Sequence, residues 1–118
     1  MRLIPLILLA LPSLALAQAP AAWKPDRPVE LIIGAAPGGA NDRIGRALQR
    51  VLQDAKLANP VVVVNKPGGG QSIAFSYLAS HAGNPHYLGL ASSSWLTTVA
   101  AGGAAVTLRD VTPVIKIL

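Results

Sequence analysis

Cysteine is absent from the 118 residues, which excludes a disulfide framework and any thiolate metal site. Aromatics are sparse: Trp23, Phe75, Tyr77, Tyr87 and Trp95 are the whole set, and no run of Lys or Arg accompanies them. The usual footprint of nucleic-acid binding, a basic tract interleaved with stacking rings, is therefore missing. Acidic residues are few, 5 against 10 Lys and Arg, for a net charge of +5. Arg2 lies in the apolar leader, so the remainder carries +4. That excess is spread along the chain; it suits an anionic ligand without establishing one. There is no G-x-S-x-G tract, hence no nucleophile elbow. His81 and His86 fall in one turn, off helical spacing and without carboxylates for company. They read as surface histidines, and no metal site, cofactor or catalytic residue is expected.

What is present begins with "MRLIPLILLALPSLALAQA". One early positive charge precedes an apolar stretch from Leu3 to Leu16, and small residues follow. Residues 1–19 read as a cleavable signal peptide, cut after Ala17 or Ala19, and too short for the roughly 20 apolar residues of a membrane span. Export across the membrane is the implied fate. Without disulfides, the exported domain must hold itself together by its core. The remaining hundred or so residues, rich in Val, Leu, Ile and Ala, are in the lower range for a single domain.

Residues 20–28, "PAAWKPDRP", form a Pro-rich leader expected to be extended and exposed. Val29–Ile33 is strand-like. From Ile44 the period changes: Ile44, Ala47, Leu48, Val51, Leu52 and Ala55 recur at helical spacing. Asn41 or Asp42 is placed to cap that helix or to lay a negative charge at its positive end. Gly45, inside the pattern, marks a place for close packing. "VVVV" (Val61 to Val64) is continuously apolar and reads as a strand buried on both faces. Ile73 to Ala79 reads as a second helix with Ala74, Tyr77 and Leu78 inward, and Tyr87 to Ala91 as a third strand. A short helix is expected at Leu96 to Ala101, then a fourth strand in "VTPVIKIL". Strand-loop-helix units in series predict an α/β fold, a parallel-sheet layer structure with helices on the sheet faces.

In such sheets the loops leaving the strands' C-terminal ends gather on one edge, where ligands bind. Here those loops are "GAAPGGAND" (Gly34 to Asp42), "NKPGGGQS" (Asn65 to Ser72) and Ser92 to Ser94. The first matches G-x-x-x-x-G from Gly34 to Gly39, but Ala40 and Asn41 stand where a phosphate loop needs Lys and Ser or Thr. Ala36 likewise breaks a dinucleotide G-x-G-x-x-G. What remains is a cradle of backbone amides at helix N-termini, open to a small anion, with Gly38, Gly39 and Ala40 as donors. The plain alternative is that glycine-rich turns only turn the chain. Arg43, Arg46 and Arg50 form a basic stripe that reads as a solvated helix face.

Four tracts in order carry a resemblance. They are Pro37-Gly38-Gly39-Ala40-Asn41-Asp42 after a Trp/Pro leader and a strand, then Asn65-Lys66-Pro67-Gly68-Gly69-Gly70 after "VVVV". "HYLGLASSSWLTT" and "RDVTPVIKIL" follow. Together they resemble the start of Bug-type receptors, the periplasmic solute-binding proteins of tripartite tricarboxylate transporters. The resemblance implies that residues 29–118 are the first, incomplete lobe of a two-lobed, periplasmic-binding-protein-like clamshell, truncated relative to the family. It implies a small carboxylate ligand, integral membrane subunits of such a transporter as partners, and no enzymatic activity. Its motif positions map the ligand-binding set onto Pro37, Gly38, Gly39, Asn41, Asp42, Gly68, Gly69, Gly70, Gln71, Ser92, Ser93 and Ser94. Asn41 stands where Thr is frequent, and Gly34 where Pro is frequent. Two alternatives stay open: a secreted α/β hydrolase fragment with Ser93 as nucleophile, and an inert remnant of a receptor.

Overall fold

The computed structural model describes residues 22–116. The signal peptide read at residues 1–19, the first two residues of the leader and the last two of the chain lie outside the described residues. Within them the order is β1 (Val29–Ile33), α1 (Ala40–Asp54), β2 (Val61–Asn65), α2 (Ser72–Ala79), β3 (Tyr87–Leu90) and α3 (Ser93–Ala100). One tight turn of 3-10 helix, Gly69–Gln71, leads into α2.

The three strands form one parallel sheet in the order β2-β1-β3. β1 is central because it has the most to bury: Val29, Leu31, Ile32 and Ile33 are all essentially inaccessible. Its alternating side chains serve two layers. Val29, Leu31 and Ile33 pack with Val61, Ala58, Leu48 and Leu52 on the α1 face. Ile32 faces the other way, toward Ala74, Phe75 and Leu78 of α2 and Gly89 of β3. The chain thus covers one face on its way from β1 to β2 and the opposite face on its way back across β1 to β3. Trp95 of α3 joins the second layer by stacking on Phe75, centroids 3.7 Å apart and planes 9° from parallel.

The strand-helix series is as expected, with four corrections. First, Val61 to Val64 is not buried on both faces: Val61 is buried, but Val62 is 45% exposed. β2 is an edge strand, and α2 crosses over β1 and β3 instead of covering it. Second, α1 is rotated from its apolar stripe. Leu48 and Leu52 face the sheet, but Ile44, Ala47 and Ala55 are exposed and Val51 is 59% exposed. The cause is Gly45, which is buried: a Cβ there would lie 2.0 Å from Ile33 Cδ1. The missing side chain lets α1 approach β1 along its glycine instead of along its widest apolar arc. Third, residues 112–116 form no strand, and Val114 and Ile115 are exposed. β propensity needs a ladder partner to become structure, and Pro113 has no N–H to offer one. Fourth, His86 is not a surface histidine but buried. It sits under Trp23 of the leader, 6.1 Å between ring centroids, with Asp26 Oδ1 2.9 Å from its Nε2. The leader is otherwise exposed, as read.

Candidate functional site

Parallel strands send all three of their C-terminal loops to the same edge, and the structure places 34–39, 66–71 and 91–92 there. The serine loop is shorter than read, because Ser93 and Ser94 already belong to α3.

Loop 1 is organised by Asp42. This carboxylate lies in the first turn of α1, is only 2% exposed, and is held by three donors. Gly38 N–H donates to Oδ2 at 2.8 Å, Arg46 Nε donates to the same oxygen at 2.9 Å, and Asn65 Nδ2 donates to Oδ1 at 2.9 Å. Asn65 also donates to Ala35 O at 2.9 Å, so the end of β2 is tied to both sides of loop 1. The Arg46 hydrogen bond first, then those from Gly38 and Asn65, lower the Asp42 pKa from its ordinary 3.8 to about 2 against the opposing effect of burial. Arg43 donates to Gly38 O at 3.1 Å, closing the loop from outside.

These contacts redistribute the expected donors. Gly38 N–H is engaged by Asp42, and Gly39 N–H donates to Ala36 O at 3.2 Å. The amides of Ala40 and Asn41 have no acceptor among the described residues, as the first turn of a helix dictates. Pro37 and Gly38 are exposed at the tip, and Asn41 is half-buried beside them. Gly39 is the N-cap and has no side chain to satisfy those amides.

Loop 2 keeps a positive φ through four residues: Gly68, Gly69, Gly70 and Gln71 have φ of 122°, 56°, 57° and 74°. The three glycines are exposed, and Gln71 is 3% exposed. Gly70 admits α3: a Cβ there would lie 2.1 Å from Thr98 Oγ1. The Gln71 amide reaches the start of α3, where Nε2 donates to Ser92 Oγ and, at 3.0 Å, to Ser94 Oγ. Those two hydroxyls are 3.1 Å apart. Ser92 is the N-cap of α3, yet its hydroxyl makes no capping bond. Ser93 is exposed on the same turn. Three buried polar atoms in this part of the fold have no partner among the described residues: Gln71 Oε1, Ser72 Oγ and Trp95 Nε1.

The structure therefore joins Gln71, Ser92 and Ser94 directly and encloses Asp42 in its own clasp, while Pro37, Asn41 and Ser93 stay open. Sequence reasoning missed Asn65, Gly34 and Thr98 as members of the site. Asn65 carried a signal, a polar residue ending an apolar strand. Gly34 showed only as a departure from a frequent Pro and Thr98 carried no signal, since their importance is the space between two segments.

An open parallel α/β sheet with small-residue loops collected at one edge defines the class, an α/β layer compatible with an incomplete lobe of a periplasmic-binding-protein-like fold. No family model matches the chain, and no solved structure matches it. Two curated proteins of Bordetella pertussis do. Protein BugT is 43% identical over 70 residues, 59% of this chain and 21% of that protein. A UPF0065 protein of the same bacterium is 33% identical over 73 residues, 62% of this chain and 22% of that protein. The matched stretch thus spans 21% and 22% of the length of these relatives. The likeness to protein BugT supports a Bug-family relationship over that portion of the chain alone.

Proposed function

We propose that this chain carries the first lobe of a periplasmic solute-binding receptor serving a tripartite tricarboxylate-type transporter, and that its three-loop edge takes a small di- or tricarboxylate. The observation that carries the reading is the gathering of three strand-to-helix loops on one edge, with the Ala40 and Asn41 amides open at the head of α1. A carboxylate oxygen placed there would be stabilised by both N–H groups and by the helix dipole. Arg43, exposed and anchored to Gly38 O, adds positive potential at the same mouth. The opposing wall belongs to a second lobe, and integral membrane subunits receive the ligand. Release to the periplasm follows from the signal peptide read at residues 1–19.

The hydrolase reading loses ground to topology. Ser93 follows the C-terminal end of β3, whereas His81 and His86 precede its N-terminal end. The four-residue strand between them spans about 13 Å at ~3.3 Å per residue, too far for a nucleophile-base pair.

Calorimetric titration of the chain with citrate, succinate, glutarate, acetate and a neutral sugar tests the proposal. The expected result is binding of di- or tricarboxylates that weakens as salt is raised. Binding of the sugar with none of any carboxylate would overturn the ligand class.

A further inference from the structure

Gln71, in loop 2, touches Gly34 of loop 1 and the serines at the head of α3. Its backbone sits at φ 74°, ψ 3°, a left-handed conformation that a glycine adopts freely and a glutamine does not. Its three predecessors in the turn are glycines with positive φ, yet here a long side chain has also been given a positive φ and buried. Such a residue persists only where its surroundings hold it.

Three contacts do so. Beneath it lies Gly34 of loop 1, where an added Cβ would come within 2.6 Å of both Gln71 Cβ and Cγ and 3.0 Å of its Cα. At its tip are the Ser92 and Ser94 hydroxyls at the head of α3. Beside it, Gly70 is closed against Thr98, one helical turn further along α3. Loop 1 and α3 share no other such bridge among the described hydrogen bonds.

The chemistry of the bridge is directional. The amide donates to both serine oxygens, so neither hydroxyl proton is engaged by Gln71 Nε2. One is shared across the 3.1 Å between Ser92 and Ser94. The other is left to donate away from the amide. A donor so directed, at the positive end of α3, favours an anionic oxygen on the ligand side.

We propose that Gln71 is a positioning residue for anion capture: it locks the first turn of α3 to loop 1 and leaves one hydroxyl proton of the Ser92–Ser94 pair directed at the bound oxygen. The proposal rests on the carboxylate reading for its purpose, but the lock itself is testable without a ligand.

The test is amide hydrogen exchange at Trp95 and Leu96, whose N–H groups donate to Ser92 O at 3.1 and 3.3 Å. Gln71→Gly should speed exchange at both by about tenfold, the order expected for losing a hydrogen-bonded tie. Gly34→Ala, which presses on Gln71 from loop 1, should speed them as well, but should add nothing in the Gln71→Gly background. The paired change Ser92→Ala with Ser94→Ala breaks the same tie from the α3 side and serves if Gln71→Gly fails to fold. Gln71→Glu keeps the tie by accepting both hydroxyl protons, so it should retain protection while weakening citrate and succinate binding.

Additive effects of Gly34→Ala and Gln71→Gly, or α3 exchange indifferent to Gly34→Ala, would overturn the positioning role whatever the carboxylates do. Unchanged citrate and succinate affinity in Gln71→Glu would overturn the directed donor. Coupled exchange in a chain that binds neither compound would instead overturn the carboxylate reading and leave the lock standing.

Discussion

Replacing Gly45 by alanine sets two ordinary effects against each other at a measurable place. On a solvated helix the change is stabilising by about 0.8–1 kcal/mol, because glycine loses more backbone freedom on folding. Here the new methyl would stand 2.0 Å from Ile33 Cδ1 and 3.0 Å from Ile33 Cγ1, with Leu90 Cδ2 at 3.8 Å. Ile33 is fully buried and has little room to turn aside. Overpacking of this kind costs about 1–3 kcal/mol. The net expectation is a loss of roughly 0–2 kcal/mol from the two terms together. Ile33→Val removes the offending Cδ1 at its own cost of about 0.5–1.5 kcal/mol. In that background Gly45→Ala should recover the helix-propensity gain, so its sign reverses. The coupling should be about 1–3 kcal/mol, above the ~0.3–0.5 kcal/mol within which independent sites add. Urea unfolding of the four forms of the cycle, compared by midpoint at constant slope, measures it. An equal shift from Gly45→Ala in both backgrounds would refute the argument that the glycine seats α1, and with it loop 1, against β1.

The remaining predictions concern the clasp and the second layer. Asp42 has a pKa depressed to about 2 from 3.8, so its stabilising effect is present above pH 3.8 and is lost as pH falls through about 2. Asp42→Asn should therefore flatten, without abolishing, the acid limb of stability in an unfolding series over that window. Asp110, whose pKa is lowered by hydrogen bonds from Thr107, contributes to the same limb and remains. A variant whose acid limb is unchanged would show that the clasp does not hold the folded state. Trp95→Ala empties the place of a ring that is 1% exposed and stacked on Phe75, and should cost about 3–5 kcal/mol. Its tryptophan emission should keep only the solvent-exposed Trp23 component; a persisting blue-shifted component would contradict the burial of Trp95.

The strand-helix alternation was readable because it depends on period. Val29 to Ile33 is a short run rich in Val, Leu and Ile, and Leu48 and Leu52 recur at helical spacing; both patterns describe local geometry. The gathering of loops was readable too, since parallel strands leave no choice about which edge their C-terminal ends share. The rotation of α1 was not. Its apolar residues fit two overlapping faces, and the one that turned inward was chosen by how closely Gly45 can approach Ile33. The exposure of Val62 was equally hidden, because a run of four valines looks alike in a central and an edge strand.

The site divides along the same line. The residue types were legible by themselves: small residues for close approach, a polar end to β2, serines at the head of a helix. Their partnerships required the fold. Asp42 read as a cap or a ligand contact, and only the meeting of loop 1 with the end of β2 showed its oxygens engaged by Gly38, Arg46 and Asn65. Gln71 read as one more member of the ligand set, at the end of a glycine loop. Its left-handed backbone, its burial over Gly34 and its reach to Ser92 and Ser94 are relations between segments far apart in the chain. The order of elements, the family resemblance and the edge that carries the loops came from the one-dimensional pattern, because they rest on local periodicity and motif order. The tertiary structure alone decided which groups engage one another and which stay open, because that depends on where independent segments pack within a few ångströms.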